Sequence, residues 1–391
     1  MESCGWLVDG SEASRTGFNA ALAAATNVRR YRRRSHLFAG QLLRETVERF
    51  SANSGLRFFP DVRLAPYSSP LDPGRFQLHR RANGNVSPGL NEVVEQIRAP
   101  QAWPRATGRD VFIAIVDSGI NGQHNEFPAW KKADGWSYDS SDAWVDPNGH
   151  GTMCAVIAAG CPRQSNSRLC GVAPDARLYS CKTDYTTSVV LAAYEWIEDR
   201  HDEHGQPIVV SNSFGFDTAL PPEIDGLPVH PDHPLAVAVQ DLVDRGLPVV
   251  FAAGNNHPEN QPTICRPSSI WAWNSLPAVL TVAELDEREA VRPSSSRGPG
   301  QWAGPGQGKP DCAAPTYGWI LFKNTYQDAL DGWGTSGAAP QAAGLLAMLK
   351  EQRPQSAPPV LYERIRSRCR ALGQPPNCVG SGVLDCDSTL Y

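Results

Sequence analysis

No stretch of the 391-residue sequence contains about 18 consecutive apolar residues, the length that a membrane-spanning helix needs. The first residues include Glu2, Asp9 and Glu12 and lack the apolar centre of a secretory signal. We therefore expect a cytoplasmic protein, or a secreted one if a leader has been removed. The formal net charge is only -5, which argues against a nucleic-acid or membrane partner.

The ten cysteines include no Cys-x-x-Cys pair, so we expect no structural zinc site. Cys161 and Cys170 flank a short polar loop, and we predict that their Cα atoms lie within about 7 Å, close enough for a disulfide. Cys369, Cys378 and Cys386 follow one another near the C-terminus, where one further pair can form. The alternative is that most cysteines are buried free thiols that pack as small apolar side chains.

No repeat array or disorder-type composition is present either, and 41% hydrophobic residues suffice for a large core. Short apolar runs rich in β-branched residues alternate with helical patterns, which predicts an α/β fold with a mostly parallel central sheet flanked by helices. The predicted strands are 111–116, 177–182, 208–212, 249–253 and 278–283. The predicted helices are 152–159, 188–200, 235–245 and 337–350, with Gly246 as a left-handed cap.

Three short Gly-containing segments hold an aspartate, a histidine and a serine in that order. Residues 116–119 read Val-Asp-Ser-Gly, residues 148–152 read Asn-Gly-His-Gly-Thr, and residues 334–340 read Gly-Thr-Ser-Gly-Ala-Ala-Pro. A fourth segment, 252–255, reads Ala-Ala-Gly-Asn. Small neighbours leave room to direct a side chain from each segment into a cleft. These motifs in this order resemble those of subtilisin-like (S8 family) serine proteases.

The resemblance extends over about residues 90–391 and implies a serine endopeptidase with a subtilisin-like three-layer fold. It implies that Ser336 is the nucleophile, that His150 is the general base, and that Asp117 orients His150. The Asn255 amide and the Ser336 backbone N–H would hold the oxyanion. The chain order and the lack of a Gly-x-Ser-x-Gly motif exclude an α/β-hydrolase esterase. A catalytically silent binding module is the remaining alternative, against which the complete set of four residues argues.

The resemblance also implies where a peptide or protein substrate binds. Its backbone is expected to pair with one edge strand, and a turn after another strand is expected to form a wall of the specificity pocket. These residues are Ser213, Phe214 and Gly215 on the strand and Ala252, Ala253 and Gly254 on the turn. The pocket floor is expected near residues 265–267, where Arg266 either favours an acidic substrate side chain or points to solvent. The enzyme either matures one dedicated precursor or degrades many proteins.

No cofactor is implied, and we predict no metal site. Asp139, Asp142 and Asp146 precede His150 but lack the dense spacing of oxygen ligands in a calcium loop, so we expect turn and cap roles. The loop 161–170 contains a single asparagine, Asn166, and none of the acidic ligands of a tight calcium site.

Residues 1–90 form a separate N-terminal region, with a helix predicted over 37–50 and a strand over 56–59. It contains too many apolar residues for a solvated tail, so we expect it to pack against the peptidase domain, 91–391. One alternative is a prodomain whose segment after about Phe76 enters the cleft and which separates at Arg80 and Arg81. The other is a permanent extension that covers helices and leaves the cleft open. The basic run 29–34 is expected at a solvated helix end, with an acidic partner or a cleavage site as alternatives.

Overall fold

The computed structural model of the protein describes residues 3–52, 54–67, 89–161, 169–218, 223–224, 227–257, 268–302, 308–318, 320 and 332–391. Residues 3–60 form a four-stranded antiparallel sheet with two helices, in the strand order β2-β3-β1-β4. The βαββαβ element order is that of a ferredoxin-like unit. Its elements are β1 (Ser3–Asp9), α1 (Arg15–Ala24), β2 (Thr26–Arg30), β3 (Leu37–Leu43), α2 (Arg44–Ser51) and β4 (Arg57–Pro60).

The remaining strands follow a short strand, β5 (Ala65–Pro66), that lies outside this unit. They are β6 (Phe112–Asp117), β7 (Lys132–Ser137), β8 (Arg177–Lys182), β9 (Ile208–Asn212), β10 (Phe214–Gly215), β11 (Glu223–Ile224), β12 (Leu227–Pro228), β13 (Val249–Ala252), β14 (Leu280–Leu285) and β15 (Cys312–Pro315). Seven of them form one parallel sheet in the order β15-β14-β13-β9-β6-β8-β7. The antiparallel pairs β10-β5 and β11-β12 stand apart from it.

Helices cover both faces of the parallel sheet. They are α3 (Leu90–Gln96), α4 (Ala99–Ala102), α5 (His150–Ala159), α6 (Thr187–His204), α7 (Pro234–Asp244), α8 (Thr335–Gln352), α9 (Pro358–Arg368), α10 (Pro376–Val379) and α11 (Cys386–Leu390), with 3-10 turns at Ala129–Lys131 and Ala272–Ser275. On the central strand β6, Ile113 and Ile115 belong to the core that contains α5 and α8. Phe112, Ala114 and Val116 belong to the core that contains α6 and α7. Alternate residues of a buried strand thus fill opposite layers.

The predicted α/β class with a mostly parallel sheet is confirmed, and most element bounds differ from the predicted ones by one or two residues. Gly246 has φ +90, as a left-handed cap requires. The predicted helix over 37–50 is wrong in its first half. Residues 37–43 form β3, which pairs with β1 on one side and β2 on the other. A central strand buried on both sides carries apolar residues without strict alternation, so its pattern does not exclude a helix.

The N-terminal unit packs on the outer side of α6 and α7. Its apolar side chains Leu7, Tyr31, Leu37 and Ala39 join the core of the helices, together with Leu64 of the segment that follows the unit. The Asp61 carboxylate accepts hydrogen bonds from Thr187 Oγ1 and the Ser188 N–H, both at 2.8 Å. Because the first N–H groups of a helix have no partner within the helix, Asp61 acts as a cap supplied by another part of the chain. The expected packing of this region on the rest of the chain is thus observed.

The basic run 29–34 contacts acidic residues of α6 and α7, so the expectation of a solvated helix end is wrong. The Glu195 carboxylate accepts the backbone N–H groups of Arg32, Arg33 and Arg34 at 3.0, 3.0 and 3.2 Å. The Arg34 guanidinium bonds Glu198 at 3.0 Å. The acidic partner that the sequence left as an alternative is therefore the protein's own helix surface.

Cys161 and Cys170 are both free buried thiols, so the predicted bridge between them is not formed. Cys378 is disulfide-bonded, but Cys369 and Cys386 are free, which corrects the expected pairing among these three. The partner of Cys378 is therefore neither of them. Within the described residues, no helix combines the length and the apolar character needed to cross a membrane.

Candidate active site

Asp117 ends strand β6 at the carboxyl edge of the parallel sheet and is 1% exposed. Its carboxylate lies 2.8 and 3.0 Å from His150 Nδ1. Oδ1 also accepts the Ser118 N–H and the Tyr185 hydroxyl, both at 2.8 Å. Several donors on one buried carboxylate satisfy its oxygens and fix its direction.

His150 is the first residue of α5 and is completely buried. The following residue, Gly151, lies so close to β6 that an added Cβ would be 2.1 Å from the Gly119 carbonyl oxygen. Only glycine therefore allows the turn that brings the imidazole beside Asp117. Burial lowers the pKa of His150, but the Asp117 charge outweighs it, so the pKa is raised well above its usual range.

Ser336 is the second residue of α8 and is also fully buried. Its hydroxyl donates to the Ser213 carbonyl at 3.0 Å. Among the described residues, His150 Nε2 has no hydrogen-bond partner. The structure therefore brings Asp117 and His150 into direct contact, but the hydrogen bond between Ser336 Oγ and His150 is not formed.

A proline inside α8 links Ser336 to the segment that follows β9. Pro340 lies four residues after Ser336 and cannot donate the helical hydrogen bond to the Ser336 carbonyl. That carbonyl accepts the Ser213 hydroxyl at 3.2 Å instead. Because α8 begins at Thr335, Pro340 is internal to the helix and not part of its first turn.

Asn255 follows β13 and directs its amide toward the start of α8. Asn255 Oδ1 accepts the Thr335 N–H and the Thr335 hydroxyl, both at 3.0 Å. Nδ2 is thereby aimed at the space beside the Ser336 N–H. An added Cβ on Gly334, at φ +63, would lie 2.6 Å from Asn255 Nδ2. Glycine at this position keeps the space between the two donors open.

A backbone carbonyl occupies that space, and it comes from the N-terminal region. The Tyr67 carbonyl oxygen accepts Asn255 Nδ2 at 3.0 Å and the Ser336 N–H at 3.3 Å. The Tyr67 N–H donates to the Ser213 carbonyl at 2.9 Å. Just before it, β5 pairs antiparallel with β10, so residues 65–67 add a strand to the edge on which substrate was expected.

The residues expected to bind substrate surround this segment. Ser213, Phe214 and Gly215 contribute backbone to the pairing. An added Cβ on Gly254 would lie 3.2 Å from the Tyr67 ring, so Gly254 borders the space that this ring occupies. Ala252 and Ala253 belong to the same buried core as Tyr67. The expected floor, 265–267 with Arg266, and the cleft-entering segment after Phe76 with Arg80 and Arg81 fall outside the described residues.

Asp146 organises the turn before His150 by accepting hydrogen bonds from several donors of the chain. It accepts the Thr152 hydroxyl at 2.6 Å and the Ser118 hydroxyl at 2.9 Å. Asp139 and Asp142 accept the Ser141 and Trp144 N–H groups at 3.0 and 2.9 Å, so all three aspartates have the turn and cap roles expected.

The nearby Cys154 thiol lies 4.0 Å from His150 Nδ1, and its burial raises its pKa.

Two residues that shape the site were missed in the sequence. Tyr185 lies just beyond β8 with φ +65 and reaches Asp117 from a neighbouring strand. Thr335 precedes Ser336 in the motif, but its contact with Asn255 depends on how β13 and α8 meet. No local pattern distinguishes either of them from an ordinary polar residue.

Residues 108–378 match the sequence model of the Subtilase family, Peptidase_S8. Serine protease AprX of Bacillus subtilis is 29% identical over 316 residues, which cover 73% of this chain and 67% of AprX. Thermitase of Thermoactinomyces vulgaris is 28% identical over 263 residues, which cover 66% of this chain and 81% of thermitase.

Two solved structures share the fold. Fervidolysin from Fervidobacterium pennivorans, a keratinolytic enzyme related to subtilisin, matches with a TM-score of 0.71 at 18% identity and covers 100% of this chain and 61% of its own. MycP1 with its N-terminal propeptide removed matches with a TM-score of 0.55 at 24% identity and covers 76% of this chain and 97% of its own.

Proposed function

Because the chain belongs to the subtilase family of serine endopeptidases, we propose that Asp117, His150 and Ser336 carry out its peptide-bond hydrolysis. In this mechanism Ser336 Oγ turns from the Ser213 carbonyl to His150 Nε2, which takes its proton as Oγ bonds to the substrate carbonyl carbon. Asn255 Nδ2 and the Ser336 N–H stabilise the oxyanion. Collapse breaks the C–N bond, and His150 delivers the proton to the leaving amine. Water then hydrolyses the acyl-enzyme.

One observation carries the assignment: the Tyr67 carbonyl lies between the two donors of the oxyanion site. Its oxygen is 3.0 Å from Asn255 Nδ2 and 3.3 Å from the Ser336 nitrogen. When a nucleophile attacks a carbonyl carbon, the carbonyl oxygen gains negative charge. Hydrogen-bond donors in these two positions stabilise that charge. The antiparallel β5-β10 pair supports the same direction of substrate binding.

We further propose that the N-terminal region, at least residues 3–67, is an inhibitory prosegment separated by cleavage of the bond after Tyr67. The unit 3–60 covers α6 and α7, and residues 65–67 lie in the cleft. One continuous N-terminal region therefore covers both the two helices and the cleft. The permanent extension that leaves the cleft open does not fit this arrangement. The MycP1 structure, from which an N-terminal propeptide was removed, is consistent with such a segment.

Mass spectrometry of purified wild-type protein and of Ser336→Ala tests both proposals together. We expect the wild type to yield a mature chain that starts at residue 68 and labels with a fluorophosphonate probe. Ser336→Ala should remain one intact chain and take up no label. Active enzyme with an intact N-terminus would contradict the prosegment, and a mature chain that starts after Arg81 would contradict the cleavage site.

Between a dedicated processing enzyme and a broad degradative one, we propose the former. The supporting observation is that the described part of the specificity pocket encloses the Tyr67 side chain, which is 2% exposed. A pocket closed around one side chain discriminates between substrates more than an open groove does. Digestion of an unfolded protein mixture should accordingly give few cuts; cleavage at many unrelated residues would favour degradation.

A further inference from the structure

The phenol of Tyr185 is a buried hydrogen-bond donor on the carboxylate that holds His150. Its hydroxyl lies 2.8 Å from Asp117 Oδ1, the same oxygen that lies 2.8 Å from His150 Nδ1. Burial and the charge on Asp117 raise the pKa of Tyr185 well above its usual range, so the hydroxyl keeps its proton at neutral and moderately alkaline pH. Tyr185 therefore donates to Asp117 throughout this range, and the phenol and the imidazole share one oxygen.

The backbone of Tyr185 adopts a strained conformation. Its φ is +65, in the left-handed region where glycine is the usual residue. The ring packs edge-on against Phe214, with the ring centroids 5.8 Å apart, and the residue is only 7% exposed. A bulky side chain persists in such a conformation only where its surroundings determine it strongly. The hydroxyl therefore meets Asp117 in a fixed geometry.

Other ionisable groups in the described part of the chain lie near Asp117 and His150 or in the same turns. They are the Cys154 thiol, 4.0 Å from His150 Nδ1, the Asp146 carboxylate, which accepts the Ser118 hydroxyl at 2.9 Å, the Lys182 ammonium, which donates to Ser141 Oγ at 2.8 Å, and the Asp184 carboxylate, which accepts the Thr186 N–H at 2.9 Å. Burial raises the pKa of the thiol, so it is neutral. Removal of the Tyr185 hydroxyl leaves all of these groups in place.

A general base must be unprotonated before it can take a proton from the nucleophile. The charge on Asp117 raises the pKa of His150 well above its usual range, which favours the protonated, inactive imidazolium. A hydroxyl that donates to Asp117 Oδ1 neutralises part of the carboxylate charge. It stabilises the carboxylate most when the imidazole beside it is neutral. The donor therefore favours the neutral form of His150.

We propose that Tyr185 is a positioning residue that sets the basicity of His150 through Asp117. Its hydroxyl fixes the direction of Asp117 Oδ1 toward His150 Nδ1 and limits the negative charge that the imidazolium meets. The proposal rests on the proposed function, because it assumes that His150 is the general base. It implies that the Tyr185 hydroxyl extends the activity of the enzyme toward lower pH.

The test compares Tyr185→Phe with the wild type after both have been processed. Phenylalanine keeps the ring packing on Phe214 and removes only the hydroxyl. The readout is the pH dependence of kcat/KM on a chromogenic Leu-Ala-Pro-Tyr peptide, because its acid limb reports the pKa of the base in the free enzyme. We expect Tyr185→Phe to move the midpoint of that limb to higher pH by roughly half a unit to one unit, with little change in KM.

Tyr194→Phe is the matched control. It removes another buried hydroxyl, which donates to Asn212 Oδ1 at 2.9 Å, so the midpoint should stay where it is in the wild type. A lower rate for Tyr185→Phe with an unmoved midpoint would overturn the proposal and leave Tyr185 a structural role. A wild type that neither hydrolyses the peptide nor takes up a fluorophosphonate probe would instead contradict the proposed function.

A second variant keeps the proposal testable if Tyr185→Phe does not fold or is not processed. Fluorotyrosine, incorporated at residue 185 alone with the fluorine beside the hydroxyl, keeps nearly the same volume and makes the hydroxyl a stronger donor. It should move the midpoint in the opposite direction, to lower pH. A shift to higher pH, or no shift, would overturn the role assigned to the hydroxyl.

Discussion

In the mechanism that we propose, the Asn255 amide is held at one end so that its other end can bind the carbonyl of the substrate. Thr335 provides both contacts on Oδ1, and its hydroxyl also accepts the Gly254 N–H at 3.0 Å. Both Thr335 and Ser336 are fully buried, so no water competes for these groups. Preorganised donors of this kind stabilise charge without having to reorient during the reaction.

Replacement of Thr335 by valine keeps the volume of the side chain and removes the hydroxyl. We expect kcat to fall by roughly tenfold with little change in KM, because the amide loses one of its two anchors. Asn255→Ala should lower kcat by about 10²–10³, the range known for the equivalent amide in subtilisin itself. Both changes are measured by steady-state kinetics on a chromogenic peptide that ends in Leu-Ala-Pro-Tyr, the sequence of residues 64–67. A rise in KM with unchanged kcat would show that Thr335 serves binding and not the oxyanion.

Sequence motifs located the four residues of the proposed catalytic set because each lies in a short segment with fixed small neighbours. The contacts of Tyr185 and Thr335 were not found, since they join segments far apart in sequence. Tyr185 reaches Asp117 across adjacent strands, and Thr335 reaches Asn255 where β13 and α8 meet. Their positions depend on how elements pack, which no local pattern contains.

At the scale of elements, the contact between the basic run 29–34 and α6 shows two kinds of ion pair. Arg34 has a side chain only 9% exposed and pairs with Glu198 at 3.0 Å and Asp241 at 2.9 Å. Arg32 pairs with Asp199, but its side chain is 74% exposed. Breaking a buried pair leaves carboxylates without compensation, whereas an exposed pair contributes little.

We therefore expect Arg34→Met to weaken the hold of the N-terminal unit on the processed enzyme by at least about tenfold. Arg32→Ala is the matched control and should change it by less than about fivefold, because its ion pair is solvated. The measurement is the time course with which peptidase activity appears after processing, with size-exclusion chromatography to detect the retained segment. Equal effects of the two variants would contradict a buried electrostatic contact.

The sequence predicted the five inner strands of the parallel sheet, because their apolar runs end in turns rich in glycine, but it missed the two edge strands β7 and β15. It failed for β3, where residues 37–43 lie between two partner strands. It also did not anticipate that an acidic helix face would bind the basic run. Charge along a single helix does not tell whether solvent or another part of the chain neutralises it.

At the scale of the whole molecule, the parallel sheet joins strands that are distant in sequence. Its order β15-β14-β13-β9-β6-β8-β7 makes every neighbour non-local, and such topologies fold slowly. The N-terminal unit, by contrast, completes its sheet within residues 3–60 and contributes apolar side chains to the layer of α6 and α7. It can therefore provide a surface on which these two helices assemble.

A chain that begins at residue 68 should refold more slowly than the full chain, by about tenfold or more. Both chains carry Ser336→Ala in this experiment, so that self-digestion does not contribute. Tryptophan fluorescence after dilution from denaturant follows the refolding. Equal rates would show that the N-terminal unit binds the finished enzyme without assisting its folding.

The strand 65–67 in the cleft has a consequence for when the enzyme becomes active. Under the processing that we propose, the bond after Tyr67 and its nucleophile belong to one molecule, so their effective concentration is independent of how much protein is present. The first cut therefore proceeds at the same rate in dilute and concentrated solution. Once cut, the segment is a separate ligand whose occupancy follows mass action. The rate of the first cut is therefore the same at every protein concentration. Dilution instead favours dissociation of the cut segment, which opens the cleft to other substrates.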